Sequence, residues 1–156
     1  MTETRDYKPT RLKHSKVHQI LFVGSHEAVA ELALDESPAE RFPCMSSHQY
    51  HREARSQLYA LVTQCFSDEA YDLEVMHREM QDDGPYLYEL TESTVTALAR
   101  IEEEEATAFA KLWSECAVME SMELDSADTI EFLFQFIHFC QIAYNDNLSL
   151  FIYSDG

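Results

Sequence analysis

The sequence predicts a mostly helical α+β domain with a small sheet that includes an N-terminal and a C-terminal strand. Only three glycines and four prolines occur among the 156 residues, a composition that favours a helix-rich chain over an all-β or disordered one. Short apolar, β-rich runs lie at residues 17–23 and 148–153, and the segments between them repeat apolar residues at helical spacing. We therefore expect one globular domain over residues 17–156, preceded by a basic, mobile arm over residues 1–16.

The predicted domain begins with a strand and a short helix. Residues 17–23 (VHQILFV) run into Gly24, a pattern typical of a strand that enters a turn. Ser25 then suits the N-cap of a short helix. Two prolines place residues 35–43 in a loop.

Two longer helices are expected next. Ser46 or Ser47 suits the N-cap of a helix that reaches about Cys65, because apolar residues recur along one face of that segment. A second helix should begin at Ser67, where the acids that follow complement the helix dipole. We expect it to end near Gln81.

A turn and a further helical region follow. Residues 82–85 (Asp-Asp-Gly-Pro) form a strong turn signal. Residues 86–90 are short and aromatic and predict either a strand or an extended link. Thr91 or Ser93 should cap a helical region that runs towards Cys116.

Four consecutive glutamates create a conflict inside that helical region. In one continuous helix, Glu102 and Glu105 fall on the apolar face, where an unpaired carboxylate is costly, whereas Glu103 and Glu104 fall outside it. One outcome is a break near Ile101, after which the glutamates form the first turn of a second helix. The other is a continuous helix with an acidic notch open to a partner. The dipole argument favours the break.

The last helix and strand complete the predicted fold. Ser126 with Asp128 should open a helix whose residues 130–143 are apolar almost all round, which is typical of a central helix. That run is too short to span a bilayer. A turn at residues 145–147 leads to residues 148–153, a strand that should pair with the first one.

The negative charge is concentrated in the second half of the chain. The net charge is −18, yet residues 1–64 carry equal numbers of acids and bases. Residues 65–156 contain 21 acids and three bases. Such a surface repels nucleic acids and anionic membranes and attracts basic partners at salt-dependent rates, although it also serves solubility alone. Four scattered cysteines and the lack of a signal-peptide pattern favour buried, reduced thiols in a cytoplasmic protein.

Seven histidines call for a test of metal and acid–base chemistry. His14 and His18 lack a third ligand, and no HExxH string, phosphate loop or nucleophile elbow occurs. The triplet His-Arg-Glu occurs twice, at residues 51–53 and 77–79. We expect capping or surface histidines, with no metal, no cofactor and no enzymatic activity. A small metal-dependent hydrolase that uses His48, His51 and Glu53 is a minor alternative.

The order of elements resembles a known group of proteins. Residues 88–113 (YELTESTVTALARIEEEEATAFAKLW) and 133–153 (LFQFIHFCQIAYNDNLSLFIY) resemble small bacterial α+β proteins whose aromatic-rich last helix feeds a terminal strand. Residues 48–64 (HQYHREARSQLYALVTQ) are similar to the long central helix of that group. Strongly acidic members of this size resemble immunity proteins of bacterial toxin systems, including those of type VI secretion. The resemblance implies an inhibitor of a cognate toxin, and no contact residue can be transferred from it.

These observations give a leading hypothesis of a cytoplasmic immunity protein that binds and neutralises a basic toxin, a nuclease above all. The alternative is an acidic mimic of nucleic acid that regulates another basic protein. Neither nucleic acid nor membrane is expected as a partner, and monomer and homodimer both stay open. The predicted contacts are acids of the second half: Asp82, Asp83, Glu102, Glu103, Glu104, Glu105, Asp68, Glu69 and Asp72. A second group comprises Glu120, Glu123, Asp125 and Asp128.

Overall fold

The computed structural model describes residues 19–33, 36–47, 49–79 and 84–155; the predicted basic arm lies outside these ranges. The elements are β1 (Gln19–Gly24), α1 (His26–Ala30), β2 (Cys44–Ser46), α2 (Arg52–Thr63), α3 (Ser67–Tyr71), β3 (Glu74–Glu79), β4 (Tyr86–Leu90), α4 (Glu92–Ala99), α5 (Glu103–Ser114), α6 (Ala117–Met122), α7 (Ser126–Asn145) and β5 (Ser149–Ser154). A short 3₁₀ helix at Pro38–Glu40 precedes β2. The predicted α+β class is confirmed.

One antiparallel sheet connects the described strands in the order β2-β1-β5-β4-β3. The first and last strands pair along their full lengths, with Leu21 opposite Ile152 and Phe22 opposite Phe151. This confirms the predicted pairing of the N-terminal and C-terminal strands. Residues 86–90, predicted as a strand or a link, form strand β4 between β5 and β3.

The sheet separates two apolar clusters because successive side chains of a strand point to opposite faces. Leu21 and Ile152 face the helices and belong to the larger cluster. Phe22 and Phe151 face the other way, where Val29 of α1 helps to cover them. Apolar residues on both faces explain why β1 and β5 read as continuous hydrophobic runs.

Helix α7 is the central helix of the larger cluster, as its composition predicted. It packs against α4, α5, β1 and β5, and Leu133, Phe136 and Cys140 are completely buried. Asp125 rather than Ser126 is the N-cap residue, and its side chain accepts a hydrogen bond from the Ala127 N–H. Within the described residues, no helix is both long and apolar enough to cross a membrane.

The predicted start of the second helix at Ser46 or Ser47 is wrong. Residues 44–46 pair with β1 as strand β2, and the helix begins only at Arg52. His51 is the N-cap, and its Nδ1 accepts from the Ala54 N–H at 3.4 Å. Hydrogen bonds to a neighbouring strand therefore override the local capping signal of the serines.

The predicted helix from Ser67 to Gln81 is also wrong beyond its first turns. Helix α3 ends at Tyr71, and Glu74–Glu79 pairs with β4 as strand β3. The cause is tertiary: Glu74 is buried and bonded to an arginine of α2, which fixes the chain in the sheet. The start of the helix at Ser67 and the short helix capped by Ser25 are confirmed.

Candidate functional site

Two predicted contact residues, Asp82 and Asp83, lie outside the described part of the chain, as do His14, His18 and His48. The remaining predicted contact acids are described. They fall into three places: the start of α5, the segment around α3, and the region between α6 and α7.

The four glutamates mark a break between two helices, which confirms the favoured outcome. Helix α4 ends at Ala99, Glu102 is the N-cap of α5, and the other three form its first turn. The Glu102 N–H donates to Glu105 Oε1 at 3.0 Å. Because α4 and α5 are separate helices, the continuous helix with an acidic notch is wrong; all four glutamates are exposed. A favourable helix start explains these charges without a partner.

The acids around α3 have different surroundings. We call residues 66–76, which comprise α3 and the start of β3, the α3–β3 corner. Asp68, Glu69 and Asp72 are exposed there, while Ala70 and Glu74 point inwards and are buried. The Phe66 N–H donates to Glu69 Oε1 at 3.2 Å, so the helix begins with the same type of bond as α5.

Apolar side chains of the α3–β3 corner are exposed beside these acids. Phe66 is 80% exposed, Val75 49% and Met76 48%, and the Tyr71 ring is also partly open to solvent. Among the described strands, β3 lies at the edge of the sheet with a partner on one side only. A segment that combines charge, exposed apolar area and an edge strand has the features of a protein-binding surface.

A shallow cavity of about 330 Å³ adjoins the corner, between α2, α3 and α6. Its lining residues include Glu53, Asp68 and Tyr71. The guanidinium of Arg52 lies 4.0 Å from the centre of that ring and donates to the Tyr71 and Glu74 carbonyl oxygens. Two carboxylates and an aromatic wall are suited to a lysine or arginine side chain of another protein.

A buried ion pair holds the corner against α2. Arg55 and Glu74 are each 1% exposed and form a two-pronged contact, with Nε–Oε2 at 2.7 Å and Nη2–Oε1 at 2.9 Å. Arg55 also donates to Gln19 Oε1 and to the Tyr50 carbonyl, and the Tyr59 hydroxyl donates to Glu74. Burial alone would lower the pKa of Arg55, but the Glu74 charge raises it above its usual value. The sequence analysis did not identify this pair.

The third predicted group of acids is dispersed. Glu120 and Glu123 line one cavity of about 210 Å³. Asp125 caps α7, and Asp128 lines a different cavity of about 320 Å³. These residues do not form a common site.

A cluster that the sequence did not predict lies on the sheet face that α1 covers, beside Phe151. His26 at the start of α1, His77 on β3 and Glu89 on β4 each offer a donor atom, and all of these atoms lie within 4.8 Å of one another. His26 Nε2 lies 2.8 Å from Glu89 Oε2, and His77 Nδ1 lies 3.6 Å from Glu89 Oε1. The two imidazole rings stack with centres 5.5 Å apart. Burial lowers the pKa of His77, which favours its neutral form.

The repeated His-Arg-Glu triplets have a related structural use. Arg52 of the first triplet donates to the carbonyl oxygens of Tyr71, at the end of α3, and Glu74, at the start of β3. Arg78 of the second donates to the carbonyls of Val29, Ala30 and Leu32 at the end of α1. The histidines of the two triplets have different roles: His51 is the N-cap of α2, whereas His77 contacts Glu89. His48, the second histidine of the predicted hydrolase site, is not among the described residues, and Glu53 lines the cavity beside α3.

All four cysteines are free thiols; Cys140 is buried, and Cys44, Cys65 and Cys116 are only partly buried. No protein-family model, curated protein or solved structure matches this chain.

Proposed function

We propose that this chain is a binding protein that captures a basic protein partner at the α3–β3 corner and has no reaction of its own. The observation that carries the proposal is the corner itself, where exposed acids, exposed apolar side chains and an edge strand occur in eleven consecutive residues, 66–76. A basic toxin, above all a nuclease, is the partner that the sequence resemblance favours. The proposed role is then that of a cytoplasmic immunity protein.

Charge supports a basic partner. The chain carries a net charge of −18, and the acids of the corner have few basic neighbours in the second half of the sequence. Complementary charge accelerates encounter and suppresses wrong partners. A nuclease presents a basic surface to the phosphates of its substrate, so an acidic protein can cover that surface.

The exposed apolar side chains of the corner supply binding free energy that charge alone does not. Exposed ion pairs contribute little to affinity, whereas a few buried aromatic anchors contribute much of it. Phe66 is the most exposed large hydrophobic residue described, and Tyr71 lines the neighbouring cavity. We expect Phe66 to be buried in the complex while a basic side chain of the partner enters the cavity between Glu53 and Asp68.

The corner is held in one conformation before binding. Ala70 and Glu74 are buried, and Arg52 and Arg55 fix the backbone and the Glu74 carboxylate from the side of α2. A surface fixed in advance loses less conformational entropy when it binds.

A binding titration tests the proposal. The probe is the purified product of the gene immediately upstream, titrated against the full chain at low and at high salt. Asp68→Lys with Asp72→Lys should weaken binding at low salt by at least about tenfold, because opposite charge is replaced by like charge. The matched control, Glu103→Lys with Glu104→Lys, makes the same charge change on α5 and should weaken binding by less than about threefold.

Two outcomes would contradict the proposal. Absence of binding to the upstream product would remove the immunity role. Equal weakening by both double variants would show that total charge, rather than the α3–β3 corner, governs capture. Phe66→Ala adds a test without any change in charge, and it should weaken binding by at least about 1 kcal/mol if Phe66 is an anchor.

A further inference from the structure

We propose that His26, His77 and Glu89 form a binding site for a divalent transition-metal ion, with Zn²⁺ as the best-suited ion. This site lies on the sheet face that α1 covers, beside Phe151, and the proposal is independent of the partner-binding role. The sequence analysis expected no metal because it considered histidines close together in sequence. Here the ligands come from three separate elements.

The spacing of the donor atoms fits a metal site. Ligand atoms about 2.1 Å from a tetrahedral zinc ion lie about 3.4 Å from one another. His26 Nε2 lies 2.8 Å from Glu89 Oε2 and His77 Nδ1 lies 3.6 Å from Glu89 Oε1, so the histidines contact different oxygens of one carboxylate. One ligand atom from each of the three residues lies within 4.8 Å of the other two. Small rotations of partly exposed side chains are enough to bring all three onto one ion.

The donor set selects the class of ion. Two imidazole nitrogens and one carboxylate oxygen suit zinc and its first-row neighbours, whereas Mg²⁺ and Ca²⁺ prefer oxygen ligands only. Glu89 already contacts both histidines, so the three ligands are neighbours before any ion binds.

The surroundings hold the three ligands in place. Phe151 lies beneath both imidazoles, with ring centres 5.7 Å from His26 and 5.2 Å from His77. Arg78, next to His77, donates to three carbonyl oxygens at the end of α1 and so ties the edge strand to the helix that carries His26. Two of the ligands are therefore fixed relative to each other by contacts outside the site.

The proposed ion would have one position open to a cavity. His26 and Glu89 line a cavity of about 450 Å³, together with Glu92, Tyr144 and Ser149. The Ser149 hydroxyl lies 3.4 Å from His26 Nε2, close to the metal position. Three protein ligands with a fourth position left to water or a small anion is the arrangement of open zinc sites. Closed structural sites use four protein ligands instead.

Calorimetric titration with ZnCl₂ tests the site on the full chain after treatment with a chelator. One equivalent should bind with micromolar or better affinity, and Mg²⁺ should not compete. His77→Ala and Glu89→Gln should each lower the affinity by more than about 100-fold, since they remove a direct ligand and not an outer-shell contact. His138→Ala is the matched control, because His138 is exposed on α7 far along the chain from the site, and it should leave the affinity unchanged.

Thermal unfolding gives a second readout. Zinc should raise the melting temperature of the wild-type chain and of His138→Ala, because an ion that binds only the folded state stabilises it. It should not raise that of a His26→Ala, His77→Ala double variant, whose folded content is checked by circular dichroism without metal. Equal zinc affinity in wild type and double variant, or wild-type affinity no better than about millimolar, would overturn the proposal.

Discussion

Helices α3 and α5 begin in the same way and differ in what surrounds them. In each, a glutamate three residues into the helix accepts a hydrogen bond from the N–H of the N-cap residue: Glu69 from Phe66, and Glu105 from Glu102. The acids of α5 are a favourable helix start on an exposed surface. Those of α3 adjoin exposed apolar side chains, a cavity and an edge strand. Charge density alone therefore does not identify a binding surface; its neighbours do.

We expect the greatest loss of stability from removal of the buried Arg55–Glu74 ion pair that holds α3 and β3 against α2. Glu74→Gln leaves the Arg55 guanidinium buried without its counter-charge, and we expect a loss of about 3 kcal/mol in the free energy of unfolding. Glu53 is an exposed acid that lines the cavity beside α3, and Glu53→Gln should change the free energy of unfolding by less than about 0.5 kcal/mol. Urea denaturation at pH 7 measures both. A loss below about 1 kcal/mol for Glu74→Gln would show that the ion pair does not hold the corner.

Alkaline pH should lower the free energy of unfolding through two buried groups of the core, the Cys140 thiol and the Tyr59 hydroxyl. Burial raises the pKa of the Cys140 thiol above its ordinary value of 9.0, and burial with the nearby Glu74 charge raises that of Tyr59 above 10.0. The unfolded chain therefore loses these protons first. Stability present below about pH 9 should fall as pH rises, by up to about 1.4 kcal/mol per pH unit for each group.

Urea denaturation at pH 8 and pH 10 measures this loss. Cys140→Ala lowers stability at both values because it leaves a cavity, but its decline between them should be smaller than that of wild type. Identical declines in the two proteins would show that Cys140 ionises as readily in the folded chain as in the unfolded one.

The smallest expected effect separates helix capping from binding. Glu69→Ala and Glu105→Ala each remove one reach-back hydrogen bond, and each should cost about 0.5 kcal/mol of stability. Partner affinity should fall only for Glu69→Ala, which also removes a carboxylate from the α3–β3 corner. A fall of equal size for both variants would remove the distinction between the two helices.

The sequence predicted those features that depend on local chemistry. The break before α5 followed from the cost of burying Glu102 and Glu105 and from the preference of acids for helix starts. The pairing of β1 with β5 followed from two apolar runs at the ends of the domain. Both signals, the run of glutamates and the two apolar runs, lie within a few residues each, although the strands that pair are far apart in sequence.

The features that the sequence did not predict depend on distant residues. Strand β3 was predicted as helix because the capping signal at Ser67 is real, while the contact of Glu74 with Arg55 that ends the helix spans 19 residues. The histidine cluster joins His77 and Glu89 across the paired strands β3 and β4 and adds His26 from α1. The second His-Arg-Glu triplet contains one ligand of that cluster, His77, and gives no sign of His26 or Glu89.

The position of β5 makes the sheet depend on one strand. It lies between β1 and β4, so it joins one pair of strands, β2 and β1, to the other, β4 and β3. Both pairings join residues far apart in sequence, with Gln19 of β1 and Tyr86 of β4 opposite Ser154, and such pairings form slowly. Loss of β5 would therefore divide the sheet into two antiparallel pairs, β2 with β1 and β4 with β3.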